Sequence, residues 1–159
     1  MLLIGKLLKF DYFVLETIQQ SNLKVINSDE GSVLHFIKKT DVGFRDFAEV
    51  YFSTVNKESI KAWKLHKRMT LNLVVPVGRV LFYFIDSRPT SINYNKIETF
   101  VLSQDPFTRL TVPPMFWFGF KGLANGLNLI SNQADLVHDP EEVERKPIDA
   151  FDVNWNMNL

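Results

Sequence analysis

Short apolar segments separated by turn residues run along most of the chain from Asn22 onward. They are rich in Val, Ile, Phe, Tyr and Thr, which favour strands, while Gly, Pro and Asn mark the turns. Short strands at regular spacing are typical of a β-sandwich or barrel. We therefore expect an all-β fold with strands over residues 23–26, 33–38, 47–55, 61–65, 70–75, 79–86, 96–102, 108–112 and 117–122.

Two segments favour a helix or turn instead. One covers residues 10–20, although its aromatic residues suit a strand as well, and the other is a short turn over residues 141–145 behind Pro140. No repeat, linker or low-complexity tract interrupts the chain, so we expect a single domain over residues 1–159. We interpret residues 1–22 as an N-terminal extension, either an exchanged strand or a cap over the barrel.

The alternation of polar and apolar residues is clearest over residues 60–86, IKAWKLHKRMTLNLVVPVGRVLFYFID. Successive side chains of a strand point to opposite faces. An extended 61–75 segment has a polar face with Lys64, His66, Thr70 and Asn72, and an apolar face with Trp63, Leu65, Met69, Leu71 and Leu73. The polar face is either the solvated side of a sandwich or the lining of a small ligand-binding barrel. The unbroken apolar run at 80–85 predicts a strand that is buried on both faces.

Composition narrows the functional classes. The 159 residues include 18 Lys+Arg and 18 Asp+Glu, so the positive surplus that nucleic-acid binding requires is missing. The chain has no Cys, which excludes disulfides, thiolate metal sites and cysteine nucleophiles. The apolar start MLLIGKLLKF is interrupted by Lys6, Lys9 and Asp11 before the roughly 20 residues that a membrane helix needs, and it lacks the pattern of a signal peptide. We expect a cytoplasmic protein with no membrane or nucleic-acid partner.

Several blocks follow one another in the order found in a known enzyme family. They are the 60–86 stretch, its Pro76-Val77-Gly78 turn, VPPMFWFGFKGL at 112–123 and HDPEEVERKP at 138–147. Through them the chain resembles the dTDP-4-dehydrorhamnose 3,5-epimerase family. The resemblance implies a cupin-like double-stranded β-helix, which is a jelly-roll barrel. It also implies a homodimer that exchanges a strand, no cofactor, and a nucleotide-linked 4-keto-6-deoxy sugar as substrate.

The reaction of that family needs two proton-transfer groups. A base removes the proton beside the 4-keto group, and an acid reprotonates the opposite face of the carbon. Aligned with the family, this chain has Lys64 where the base His is expected, with His66 two residues later, and Phe118 where a second His is expected. The acid Tyr of the family falls near His138, and its orienting Asp falls near Asp149. A cupin metal site needs more His residues than these blocks supply, so we expect no metal.

We therefore take His66, Lys64 and His138 as the candidate catalytic residues, with His66 or Lys64 as the base and Asp149 as the orienting carboxylate. An ammonium close to His66 lowers the pKa of the imidazole and keeps it neutral. Alternatively, Lys64 stays charged and holds an enolate or phosphate oxygen. Arg145 is a further candidate for binding the nucleotide phosphates, but it neighbours three Glu residues, which favours surface ion pairs instead. The candidate substrate-binding residues are Lys61, Arg68, Asn72, Arg79, Trp117, Glu49 and Ser53.

Three functional interpretations follow. The first is a sugar-nucleotide epimerase that acts on a 4-keto-6-deoxy hexose in cell-surface polysaccharide biosynthesis. The second is a non-catalytic cupin that binds a nucleotide sugar or saccharide, which the replaced His positions favour. The third is a sugar-nucleotide ketoisomerase, in which the carbonyl migrates. Exchange of substrate protons with solvent separates the two enzymes from the binding protein.

Overall fold

A computed structural model describes residues 17–157. The expectations for the N-terminal extension up to residue 16, including most of the helix predicted over residues 10–20, lie outside the described residues. The strands are β1 (Gln19–Asn22), β2 (Val25–Ser28), β3 (Gly31–Leu34), β4 (Glu49–Val55), β5 (Ile60–His66), β6 (Leu71–Val77), β7 (Arg79–Asp86), β8 (Ile97–Ser103), β9 (Thr108–Val112), β10 (Phe116–Gly122), β11 (Asn128–Ala134) and β12 (Val143–Arg145). Single 3-10 turns cover Pro140–Glu142 and Ile148–Ala150.

Two five-stranded antiparallel sheets form the body of the described chain. The first sheet has the order β1-β9-β6-β11-β4, and the second has the order β12-β5-β10-β7-β8. Strands β2 and β3 pair as a separate hairpin. Neighbours in each sheet are mostly distant in sequence, which is the arrangement of a jelly roll. The all-β prediction is confirmed.

The main core lies between the two sheets. Alternate residues of β6, such as Leu71 and Leu73, face inward and meet Phe82 and Phe84 of β7 and Phe118 of β10. Each fully buried side chain of this kind contributes about 1.5–3 kcal/mol of transfer free energy. Val80 to Asp86 is buried at every position, so β7 is covered on both faces as the apolar run predicted.

A second core covers the outer face of the second sheet. Trp63, Tyr83 and Trp117 belong to it, and they pack under the C-terminal strap, which we define as residues 146–157. Three side chains of the sheet hold the strap by its carbonyl oxygens. Trp63 Nε1 donates to Ile148 (3.0 Å), Tyr83 Oη donates to Asn154 (2.6 Å) and Lys121 Nζ donates to Trp155 (2.8 Å).

The outer face of the first sheet is covered by the segment between β3 and β4. Buried Arg109 binds this segment through the Phe36 carbonyl (3.1 Å), the Val42 carbonyl (3.0 Å) and the Asp41 carboxylate (3.0 Å). Gly43 has φ +97°, and a Cβ there would lie 2.5 Å from the Thr111 hydroxyl oxygen. Glycine is therefore required where the segment crosses the sheet.

The structure corrects several predicted elements. Residues 19 and 20 begin β1 rather than ending a helix, and the 141–145 turn is a 3-10 turn followed by β12. Strand β11 was not predicted at all. The predicted polar and apolar faces are correct for β5 but reversed for β6. The turn at residues 67–70 interrupts the alternation, so that odd-numbered residues of β6 point inward where even-numbered residues of β5 do. As a result Leu71 and Leu73 face the interior together with Lys64, and Asn72 faces outward.

Candidate active site

A cavity of about 500 Å³ lies between the sheets, on the side where β4 and β5 face each other. This volume is within the range of small-molecule sites. One part of its wall is apolar and consists of Leu71, Leu73, Phe82, Phe118 and Phe120. The other part carries polar groups, which are Tyr51, Ser53, Lys61, Lys64, Asn132 and Arg145.

His66 lies beside this cavity on the inner face of β5. Its ring stacks on Phe118, with ring centroids 6.0 Å apart, and Phe118 lines the cavity. Its Nδ1 lies 2.6 Å from Oε2 of Glu142, and both side chains are buried. The carboxylate therefore accepts the Nδ1 proton and leaves the Nε2 lone pair free, because an ionised carboxylate can only accept.

Glu142 is fixed from the backbone as well. Its Oε1 accepts hydrogen bonds from the amides of Arg68 (2.7 Å) and Met69 (2.9 Å) in the turn after β5. Burial opposes ionisation, but these amides and His66 outweigh it and lower the pKa of Glu142. The residue is an ionised carboxylate at neutral pH and determines the orientation of the imidazole.

Burial lowers the pKa of His66, and the nearby ammonium of Lys64 lowers it further. Glu142 opposes the change through its hydrogen bond and charge, but burial dominates. His66 is therefore neutral at pH 7. Burial also lowers the pKa of Lys64, with the guanidinium of Arg145 adding to the effect and Glu142 and Glu49 opposing it.

Tyr51 and Asn132 form the opposite wall, on β4 and β11 of the first sheet. Burial raises the pKa of the Tyr51 hydroxyl, its hydrogen-bonding interaction with the Asn132 side chain opposes the rise, and the charges of Glu49 and Glu142 add to it. Tyr51 therefore remains a proton donor at neutral pH. The cavity thus has a protonated phenol on one sheet, and a neutral imidazole lies beside it on the other.

Unpaired buried polar atoms concentrate around this cavity. Within residues 17–157, the buried side-chain atoms without a hydrogen-bond partner are His66 Nε2, both amide atoms of Asn132 and Nε of Arg109. Buried polar groups are nearly always paired, so such exceptions indicate a site that a ligand or water completes. Two of these atoms belong to Asn132, which lines the cavity, and a third belongs to His66, which lies beside it.

Cations mark the polar side of the cavity. Lys61, Lys64 and Arg145 line it, and no Asp or Glu among residues 17–157 belongs to its lining. Lys61 Nζ also donates to the Thr54 carbonyl (2.7 Å), which holds the ammonium near β4. Clustered cations of this kind suit the phosphate oxygens of a nucleotide.

Several residues predicted from the sequence lie elsewhere. Asp149, which was predicted to orient the base, is exposed in the Ile148–Ala150 turn. The carboxylate that hydrogen-bonds His66 is that of Glu142. Asn72 is buried on the outer face and binds the Gly43 carbonyl and Gln133. Trp117 packs in the second core with the Lys146 ammonium 4.6 Å from its ring centre.

The remaining predicted residues lie outside the cavity lining. His138, Arg68 and Arg79 are exposed, and Arg68 lies 3.5 Å from Asp139. Glu49 begins β4 and influences the cavity only through its charge. The cavity therefore brings together Lys61, Lys64 and Ser53, with His66 beside them, and leaves the others out.

Sequence reasoning missed Tyr51, Asn132 and Glu142, and for Arg145 it favoured a surface ion pair over phosphate binding. Tyr51 was open to prediction, because it alternates with Glu49 and Ser53 on one face of the same strand. Asn132 lies in the strand that was not predicted. The Glu and Arg positions depend on β12 pairing with β5, which no local pattern reveals.

Within the described part of the chain, no cluster of three or more His, Asp or Glu side chains could hold a metal ion. No helix among residues 17–157 is long and apolar enough to cross a membrane.

Comparison with known proteins identifies the family. No family model matches the chain. A dTDP-4-dehydrorhamnose 3,5-epimerase structure from Sulfolobus tokodaii shares the fold at TM-score 0.77 and 20% identity, covering 86% of this chain and 80% of that chain. A dTDP sugar isomerase structure from Desulfovibrio desulfuricans G20 aligns at TM-score 0.84 and 34% identity, covering 88% of this chain and 91% of that chain. The chain belongs to the family of dTDP-4-dehydrorhamnose 3,5-epimerases and related dTDP-sugar isomerases.

A curated relative agrees with this family. The probable low-salt glycan biosynthesis epimerase Agl13 of Haloferax volcanii is 26% identical over 114 residues, which cover 69% of this chain and 73% of that protein. Membership in the epimerase family makes this protein an isomerase with the jelly-roll fold that the resemblance implied.

Proposed function

We propose that the protein epimerises a nucleotide-linked 4-keto-6-deoxy hexose for cell-surface polysaccharide biosynthesis, as a cytoplasmic homodimer that needs no cofactor. One observation carries the proposal. Neutral His66, oriented by Glu142 and with its Nε2 unpaired, lies beside the cavity that protonated Tyr51 lines from the other sheet. Epimerisation requires a base and an acid on opposite faces of one carbon.

The sugar binds between the two walls, and its phosphates pair with Lys61 and Arg145. His66 Nε2 takes the proton from the carbon beside the ketone, and the electron pair of that C–H bond moves onto the ketone oxygen. The ammonium of Lys64 stabilises the resulting enolate. Tyr51 then gives its proton to the opposite face of the carbon. The phenolate regains a proton as the imidazolium loses one through solvent, so the protein is unchanged at the end of the cycle.

The apolar Phe118 supports a second candidate function. It occupies the position of the family's second His, and it stacks on His66 rather than contributing a polar group. A cavity with this change still binds a nucleotide sugar through its cations. The alternative is therefore a non-catalytic nucleotide-sugar or saccharide-binding protein, and a ketoisomerase using the same base is the catalytic variant.

The test is proton NMR of dTDP-, GDP- and CDP-linked 4-keto-6-deoxy sugars with the protein in deuterated water. We expect the signal at carbon 3 or carbon 5 to disappear, because the abstracted proton exchanges with solvent. His66→Asn should slow this loss by at least about 100-fold, since general base catalysis contributes that much. His35→Ala is the matched control, because His35 lines a different cavity.

The outcomes separate the candidates. Line broadening of the ligand without any exchange would leave only the binding protein. Exchange with inverted configuration supports the epimerase, whereas a migrated carbonyl identifies a ketoisomerase. Full exchange in His66→Asn together with loss in Lys64→Ala would move the base to Lys64.

A further inference from the structure

Asn132 is unusual among the buried amides of this protein. It lies on the inner face of β11, it is 2% exposed, and neither amide atom makes a hydrogen bond of standard geometry, although its side chain interacts with the Tyr51 hydroxyl and lowers the pKa of that group. Asn72, equally buried on neighbouring β6, has all its polar atoms paired, with Gly43, Gln133 and Thr111. The Asn72 amide therefore stabilises the fold through its hydrogen bonds, whereas the Asn132 amide is available to bind a ligand.

The surroundings of Asn132 indicate what that partner is. The amide lines the cavity together with Tyr51 on the first sheet, while Lys64 lines it from the second sheet. The apolar side chains of Leu71 and Leu73 line the same cavity and supply no hydrogen-bonding side-chain atoms. A polar atom that enters this space is therefore the natural partner of the amide.

We propose that Asn132 binds the oxygen atoms of the reacting sugar carbon and its neighbour, and that it stabilises the enolate. This inference rests on the proposed function. The amide nitrogen donates to the ketone oxygen, which gains the electron pair of the broken C–H bond when His66 takes the proton. The amide oxygen accepts from the adjacent sugar hydroxyl. A buried amide that already points at the developing oxyanion stabilises it with little rearrangement, so the interaction strengthens as charge develops.

The proposal makes an unusual combined prediction for stability and activity. Replacing an unpaired buried amide with an apolar side chain of similar size removes a group that destabilises the free protein. Asn132→Leu should therefore keep or raise the melting temperature, by up to about 4 °C. The same change should slow proton exchange by about 100-fold, through kcat rather than KM, because the lost hydrogen bond forms fully only in the transition state.

Asn72→Leu is the matched control for stability. It removes an amide whose partners then remain buried and unpaired, so its melting temperature should fall clearly below that of the wild type. Asn132→Asp is a second variant of the same size that cannot donate a hydrogen bond when ionised. It keeps the test informative if the Leu variant does not fold, and it should lose exchange to a similar degree.

The exchange rates and melting temperatures of these variants test the inference and the proposed function separately. Wild-type exchange retained in Asn132→Leu or in Asn132→Asp would overturn the inference and leave the proposed function in place. Absence of exchange in the wild type would overturn the function, and the inference would fall with it. A melting temperature of Asn132→Leu as low as that of Asn72→Leu would identify Asn132 as a structural residue and also overturn the inference.

Discussion

One hydrogen bond, from His66 Nδ1 to Glu142, determines which nitrogen of the imidazole carries the proton. Glu142 sits in a 3-10 turn far along the chain, yet it contacts Nδ1 of His66 and two amides of the turn that follows β5. These contacts leave the carboxylate little freedom. The tautomer of His66, on which its proposed role as the base depends, is therefore determined by a residue outside the cavity lining.

Glu142→Gln should reverse this tautomer. The amide oxygen of the new side chain can still accept from Arg68 and Met69, so its NH₂ group faces His66 Nδ1 and forces the ring proton onto Nε2. Nε2 can then no longer accept a proton, and we expect exchange to fall by about 100-fold or more. Nitrogen-15 NMR of the imidazole reports the tautomer directly. A variant with the Nε2 proton and undiminished exchange would show that His66 is not the base.

At the scale of elements, the C-terminal strap depends on a few hydrogen bonds to its carbonyl oxygens. Tyr83→Phe removes the hydroxyl that donates to Asn154 and leaves that carbonyl without this partner. We expect the free energy of unfolding to fall by about 1 kcal/mol. Tyr94→Phe is the control, because Tyr94 is half exposed. Urea denaturation of both variants measures the difference, and equal midpoints would mean that the Tyr83 hydroxyl does not stabilise the strap.

Elements with alternating or unbroken apolar residues were predictable from the sequence, and others were not. Strand β7 was found because its apolar run is continuous, and most other strands were found within a few residues. Strand β11 reads NLISNQA and carries polar residues on both faces, so no hydrophobic period marks it. His66 and Lys64 were predictable because they lie on a strand whose polar and apolar residues alternate, whereas Asn132 lies on a strand without that alternation.

The remaining site residues were out of reach for a different physical reason. Glu142 and Arg145 come to the cavity only because β12 pairs with β5 across a long sequence separation. A carboxylate beside His66 was expected, but at Asp149, whereas the structure places Glu142 there. Local patterns determine strands and faces, whereas the pairing of distant edges is determined by the whole fold.

For the molecule as a whole, acid should be destabilising. Burial lowers the pKa of His66, and the pKa values of Glu142, Asp86 and Asp41 are also lowered, because hydrogen bonds and cations outweigh the burial of each carboxylate. A group with a lowered pKa in the folded state stabilises the fold above its unfolded pKa, and this stability is lost as the pH falls. Asp135, whose pKa burial raises, acts in the opposite direction.

We therefore expect the melting temperature to be level near pH 8 and to fall as the pH drops below 6.5, the ordinary pKa of His, and then further through the carboxylate range. Thermal unfolding at a series of pH values measures the curve. His66→Phe should remove the first part of the fall while keeping the carboxylate part. An identical curve in that variant would show that His66 does not contribute.

The strap and the turn that carries Glu142 also affect the order of events during synthesis. Proteins are made from the N-terminus, so both five-stranded sheets except β12 leave the ribosome before Glu142, Arg145 and the strap do. A nascent chain at that stage can assemble most of its barrel but has an unoriented His66 and an uncovered Trp63. If His66 is the base as proposed, the enzyme is therefore inactive during synthesis, and catalysis begins only once the chain from Glu142 through the strap has been translated.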